Sequence, residues 1–99
     1  MENDWTCLVE LFTEVNDHQQ MEKLLLLILT INEREYLIDR YRIVRALLTT
    51  KLTQREIAEQ FHVSIAKITA GSNELKRTPN DIKEILTDFI SKRDGPKEC

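Results

Sequence analysis

A chain of 99 residues has room for one small domain, since independent domains run from about 50 to 250 residues, and it is too short for a two-lobed enzyme. Its 27 Leu, Ile and Val, six aromatics and two Met build a modest core at best, and two Gly with two Pro disfavour β-sandwiches and glycine-rich phosphate loops. A net charge of −3 argues against a protein that coats nucleic acid indiscriminately.

The expected elements follow in chain order. Trp5, Leu8, Val9, Phe12 and Val15 recur at helical spacing and predict a first helix from about Asp4 to Asn16. A second begins near Gln19 and contains Leu24-Leu25-Leu26-Leu27-Ile28-Leu29, six apolar residues that point all round a helix and so demand cover on every side. A chain this small has little material for that. A partner subunit sharing the N-terminal helices is the expected cover, the rival being a central helix wrapped by its own chain. Thr30 with Glu33 forms a capping box for a third helix, whose stripe Tyr36, Leu37, Tyr41, Val44, Leu47 and Leu48 runs to about Thr49. Thr53 with Glu56 forms a second box for a short helix to Phe61. Ser64 can cap the next, with Ile65, Ile68 and Leu75 on its inner side. Thr78 before Pro79 reads as the start of a last helix with Ile82, Ile85, Leu86, Phe89 and Ile90 along it, ending before Gly95-Pro96. The expectation is all-α: dimerisation helices over 4–52, a helix-turn-helix over 53–76, a C-terminal helix over 79–93 and a flexible tail over 94–99.

Charge is unevenly spread. Residues 1–39 carry nine acids against Lys23 and Arg34, a balance of −7, whereas residues 40–77 carry eight bases against Glu56, Glu59 and Glu74, a balance of +5. A cationic middle third inside an acidic chain suits a localised phosphate-facing surface; a solvated face of mixed charge would look similar. The segment 52–68 sits in that third. Ala58 is small enough for two short helices to cross on it, Ile57 and Val63 fill the space between them, and Ile68 packs the second helix onto the first. That crossing leaves Gln54 and Arg55, then Ile65, Ala66 and Thr69, facing outward, with the second helix presented by its N-terminal end as in major-groove readers. A plain αα-hairpin is the bland alternative. His62 occupies the turn, where glycine is common.

Thr69-Ala70-Gly71-Ser72-Asn73-Glu74-Leu75-Lys76 closely resembles the recognition-helix signature of the bacterial tryptophan repressor family. Leu52-Thr53-Gln54-Arg55-Glu56 resembles that family's first DNA-binding helix, and Thr30, Glu33-Arg34-Glu35 and Arg40-Tyr41-Arg42-Ile43-Val44 resemble its third helix. The similarity runs without a gap from about Leu27 to Lys76, half the chain. It implies an intertwined six-helix homodimer that reads a palindromic double-stranded operator, one recognition helix per half-site; the family is itself a standing example of that docking geometry and of water-mediated base contacts. By position, Arg55 would reach a guanine edge, and Ile65, Ala66 and Thr69 would lie along bases. Arg42, Gln54, Lys67, Thr69, Ser72, Asn73 and Lys76 would hold phosphates. The family corepressor is L-tryptophan. The resemblance places its amino group on the carbonyls of Leu27 and Leu29, a cap hydroxyl at Thr30, an arginine beside the indole at Arg40, and room for the ring at Gly71.

Two pocket positions depart from the pattern. The arginine that faces the ligand carboxylate falls at Ala70, and a serine near the indole nitrogen falls at Glu74. Losing the guanidinium removes a charge-assisted bond worth about 1.5–3 kcal/mol, and a carboxylate nearby adds repulsion. Either tryptophan still binds, with Glu74 accepting the indole N–H and Thr30 with a helix N-terminus holding the carboxylate, or Arg40 and Glu74 bridge the pocket and the protein acts without tryptophan or with another effector.

Other classes fare worse. His18 and His62 are far apart, no Cys or His cluster has metal spacing, and no nucleophile stands beside a base, so neither catalytic nor metal residues nor a bound cofactor are expected. A helical dimer serving only as a protein-interaction module is the main competitor. Cys7 and Cys99 have no redox spacing and read as reduced thiols of a cytoplasmic protein. The longest apolar run falls far short of the roughly 18 residues that span a bilayer, and no signal peptide is read near Met1.

Overall fold

The computed structural model describes residues 3–93; the tail expected over 94–99, with Cys99, lies outside them. Six helices follow one another: α1 (Asp4–Glu14), α2 (His18–Ile28), α3 (Ile31–Thr49), α4 (Gln54–Phe61), α5 (Ile65–Arg77) and α6 (Asn80–Arg93). Among the described residues there is no strand, as the periodicity predicts. Contacts group into two compact units that divide between Arg34 and Glu35, within α3.

The first unit is short of core. Neither α1 nor α2 contains a buried residue. Val15 ends α1 in extended backbone, two residues before the expected end, because Asp17 caps the next helix: its carboxylate accepts from the Gln20 N–H at 2.9 Å. Half of the leucine run is bare: Leu26, Leu27 and Ile28 are exposed, Leu27 at 79 %, while Leu24, Leu25 and Leu29 are half-buried; Trp5 is 73 % exposed. Thr30 and Glu33 close the expected box: the Glu33 carboxylate accepts from the Thr30 N–H at 2.8 Å and the Thr30 hydroxyl from the Glu33 N–H at 3.1 Å. Each such cap is worth about 1 kcal/mol.

The second unit is built around Ile43, Ala46, Ile57 and Ile68, with Leu47, Leu52, Ala58, Phe61 and Val63 packed against them. Three helices meet here: α3 gives Ile43 and Ala46, α4 gives Ile57, α5 gives Ile68. Ile57 and Ile68 are fully buried, and burying such a side chain stabilises by about 1.5–3 kcal/mol. Gly71, also buried, brings α5 onto α3: a Cβ there would stand 3.1 Å from Ile43 Cγ2. Two expectations are corrected. Ile65 is 49 % exposed and lies off the inner stripe of α5, in line with its outward placement in the two-helix crossing, because Ile68 and Gly71 fill the seam with α3. Thr78 does not open the last helix; its N–H bonds to the Leu75 carbonyl and its hydroxyl donates to the Glu74 carbonyl at 2.8 Å, so it closes α5. The Pro79 carbonyl receives the first N–H groups of α6, from Ile82 and Lys83, both at 3.2 Å.

Candidate nucleic-acid interface

The α4–α5 pair is shaped by local chemistry at each joint. Thr53 and Glu56 form the second complete capping box, which frees Gln54 and Arg55, the next two residues, to stand exposed on the first turn of α4. His62 ends α4 in the left-handed region, φ 57° and ψ 44°, and is the one non-glycine residue with positive φ among those described. Val63 then bonds back to the Ala58 carbonyl at 3.2 Å, so the chain reverses over the small residue where the helices meet. Ser64 starts α5 by accepting from the Lys67 N–H at 3.2 Å.

On α5 one stripe is buried or half-buried (Ile68, Gly71, Ser72, Leu75) and another is open (Ile65, Ala66, Thr69, Asn73, Lys76). The open stripe repeats every three or four residues, so it forms one face. Thr69 Oγ1 donates to Gln54 Oε1 at 3.4 Å, joining the open stripe to the start of α4. Beside them, on α3, the Arg42 guanidinium lies 4.6 Å above the Phe61 ring; stacking fixes the direction of a side chain that would otherwise sample many rotamers. That contact spans helices α3 and α4 and no local spacing announces it. Lys67 is half-buried: its Nζ lies 3.3 Å from Asp39 Oδ2 and 5.6 Å from the Tyr36 ring centre.

The residues that the resemblance assigns to a ligand fall in both units. Leu27, Leu29 and Thr30 stand at the junction of α2 and α3, where Leu29 ends α2 and its N–H bonds to the Leu25 carbonyl at 2.9 Å. Arg40, Ala70, Gly71 and Glu74 belong to the second unit. Arg40 Cδ would be 3.7 Å from a Cβ on Gly71, and Arg40 Nη2 donates to the Tyr36 hydroxyl at 3.2 Å. Gly71 therefore faces Ile43 and Arg40. Ala70 is exposed. The bridge between Arg40 and Glu74 is not formed: Glu74 Oε1 accepts from Arg77 Nη2 at 2.6 Å instead. The reason is spacing, since Arg77 is one turn on along the same helix. The Arg77 hydrogen bond, then its charge, holds the Glu74 carboxyl below its ordinary value of 4.5, with a smaller pull from the Arg40 charge.

Among the described residues no helix is long and apolar enough to cross a membrane, and no group of His, Cys, Asp or Glu could hold a metal ion. A capped two-helix pair with an open polar stripe and stacked or exposed arginines, set in an all-helical chain, has the architecture of a DNA-binding regulator. The Trp repressor protein model matches residues 3–90. The chain is 43 % identical over 91 residues to a Trp operon repressor homolog of Chlamydia caviae, covering 92 % of this chain and 90 % of that protein. It is 44 % identical over 85 residues to one of Chlamydia trachomatis, covering 86 % and 90 %, and 42 % identical over 87 residues to one of Vibrio campbellii, covering 88 % and 87 %. The chain belongs to the Trp repressor family, and is a transcription regulator of that kind and not an enzyme.

Proposed function

We propose that the chain is a cytoplasmic, homodimeric repressor that binds a palindromic DNA operator through α4 and α5, controls genes of tryptophan biosynthesis or uptake, and takes L-tryptophan as corepressor. The observation that carries the DNA reading is the open α5 stripe joined by Thr69 to Gln54 above a core shared by three helices: a rigid base under an exposed polar edge. In this reading α4, its turn and α5 form a helix-turn-helix. Arg55 reads a guanine edge with its guanidinium fork; Ile65, Ala66 and Thr69 lie along bases; Arg42, Gln54, Thr69, Ser72, Asn73 and Lys76 engage phosphates and fix register, whereas Lys67, which the resemblance also gives to a phosphate, is held at Asp39. Dimerisation is supported by the first unit, whose helices bury nothing within the chain while Trp5 and Leu27 stand in the open. Large apolar side chains left exposed in this number suit a protein interface, and a second copy supplies cover with the same pattern.

Tryptophan suits the residues in part. Arg40 offers a cationic plane next to Gly71, and the Glu74 charge that would repel an amino-acid carboxylate is met by Arg77. Leu27, Leu29 and Thr30 keep the roles the resemblance gives them, whereas Ala70 contributes no charge for the carboxylate. A second reading, in which the reading heads work without an amino acid, is favoured by the Lys67–Asp39 contact, which already ties α5 to α3. Gel shifts with operator-like palindromes, run with and without L-tryptophan, decide: tighter binding with the amino acid supports the corepressor, equal binding supports the second reading, and no preference for any palindrome sinks both.

A further inference from the structure

We propose that Asp39 is a positioning residue of the DNA interface: it withholds the Lys67 ammonium from phosphates and spends it on holding α5 against α3. The proposal rests on the reading of α4 and α5 as that interface. Lys67 is the third residue of α5, at the positive end of the helix dipole, where a cation is disfavoured. A lysine kept there only to meet DNA would point into solvent. Instead its Nζ is 3.3 Å from Asp39 Oδ2, the two side chains being 42 % and 25 % exposed, and it lies 5.6 Å from the Tyr36 ring centre. Asp39 and Tyr36 sit three residues apart on α3, so they share a face. Tyr36 is itself fixed, since its hydroxyl accepts from Arg40 Nη2 at 3.2 Å. Two groups of α3 thus close on one ammonium of α5, the Asp39 carboxylate and the Tyr36 ring, with Asp39 28 residues away in sequence.

The geometry also fixes what happens on a polyanion. Swinging Lys67 to a phosphate would strip Asp39 of its cation beside an incoming negative backbone and give up the Tyr36 face as well. The chain therefore presents one fewer phosphate-binding cation than its sequence counts. Tyr36, Asp39, Arg40, Ile43 and Lys67 line a shallow cleft whose side chains leave no room for a water molecule. The groups meet each other there, and an effector is not needed to bring them together.

The test uses the full chain, a random-sequence DNA duplex, and Asp39→Asn, Lys67→Gln and the double variant. The readout is the slope of log affinity against log salt. Release of Lys67 in D39N steepens the slope by about 0.9 per chain, a further loss of about 3.5-fold in affinity per lysine between about 50 and 200 mM salt. K67Q alone leaves the slope unchanged, and the double variant returns to the wild-type slope. If K67Q alone flattens the slope by about 0.9, or if the steepening in D39N survives in the double variant, the proposal is overturned, because the effect is then Lys67 already on phosphate or Asp39 acting by its own repulsion. NMR of the free protein gives a readout without DNA: the Lys67 ε-methylene resonates upfield under the Tyr36 ring current and moves back in D39N. An ordinary shift in the wild type overturns the contact whatever the DNA does. An upfield Lys67 in a protein that binds no duplex overturns the interface reading, and the role assigned to Asp39 falls with it.

Discussion

Gly71→Ala sets two known effects against each other at one atom. Replacing a mid-helix glycine by alanine favours the helix by about 0.8–1 kcal/mol. Against this, the new Cβ would stand 3.1 Å from Ile43 Cγ2, closer than the 3.5–4.0 Å at which carbon atoms attract. The Cγ2 methyl is bound directly to the branched Cβ of Ile43, and a β-branched side chain in a helix has essentially one χ1 rotamer. Ile43 is 1 % exposed and belongs to the central cluster, so it has no open side to retreat to. Relief must come from moving α5 off α3, at an overpacking cost of about 1–3 kcal/mol. The crowding wins, and G71A loses about 1 kcal/mol, a fall in Tm of about 4–8 °C for a domain of this size. Adding Ile43→Ala removes the clashing methyl, so the two substitutions couple favourably in a double-mutant cycle read by urea unfolding. A G71A protein more stable than the wild type, or strictly additive losses, would refute the view that this glycine is the contact point of the two helices.

Other outcomes follow from single residues. His62→Gly relieves a left-handed conformation that disfavours L-residues by about 1–2 kcal/mol, less about 0.5–1 kcal/mol of glycine entropy; with the imidazole exposed, the urea midpoint rises, and a lower midpoint contradicts the strain. Glu74 titrates below 4.5 in the folded chain because of Arg77. A carboxyl whose folded value is depressed contributes stability that is fully present above the unfolded value, here about 4.5, and is lost as pH falls through the folded value. Arg77→Ala therefore moves the Glu74 titration upward in carbon-detected NMR, and an unmoved curve assigns the shift elsewhere. Arg55→Ala reduces discrimination between a palindromic operator and random duplex by about 1–3 kcal/mol, read by fluorescence anisotropy; equal loss on both duplexes makes Arg55 a phosphate contact.

What was legible in the sequence is what local spacing encodes. The boxes at Thr30–Glu33 and Thr53–Glu56 pair residues three apart and form as written. Ile57, Ala58, Val63 and Ile68 take their places because periodicity alone assigns them to the seam. Ile65 fits the same apolar pattern yet faces out, since hydrophobicity marks a helix stripe but not its edge. Thr78-Pro79 reads as a helix start by composition, although the threonine satisfies the carbonyl end of α5 first. The contacts that shape the interface most, Asp39 with Lys67 and Arg42 with Phe61, join residues far apart in the chain, and no one-dimensional pattern carries them. For Glu74 both Arg40 and Arg77 are chemically fit partners, and proximity along α5 decides for Arg77. The leucine run states its need for cover without stating the source, and no residue of α2 is fully buried within the chain.

Sedimentation equilibrium of the purified chain, alone and with a palindromic operator duplex, tests the central claim most directly. Two copies of the 11.7 kDa chain in free solution, and two copies on each duplex, are the masses predicted. A stable single chain that adds no mass to the duplex would contradict it.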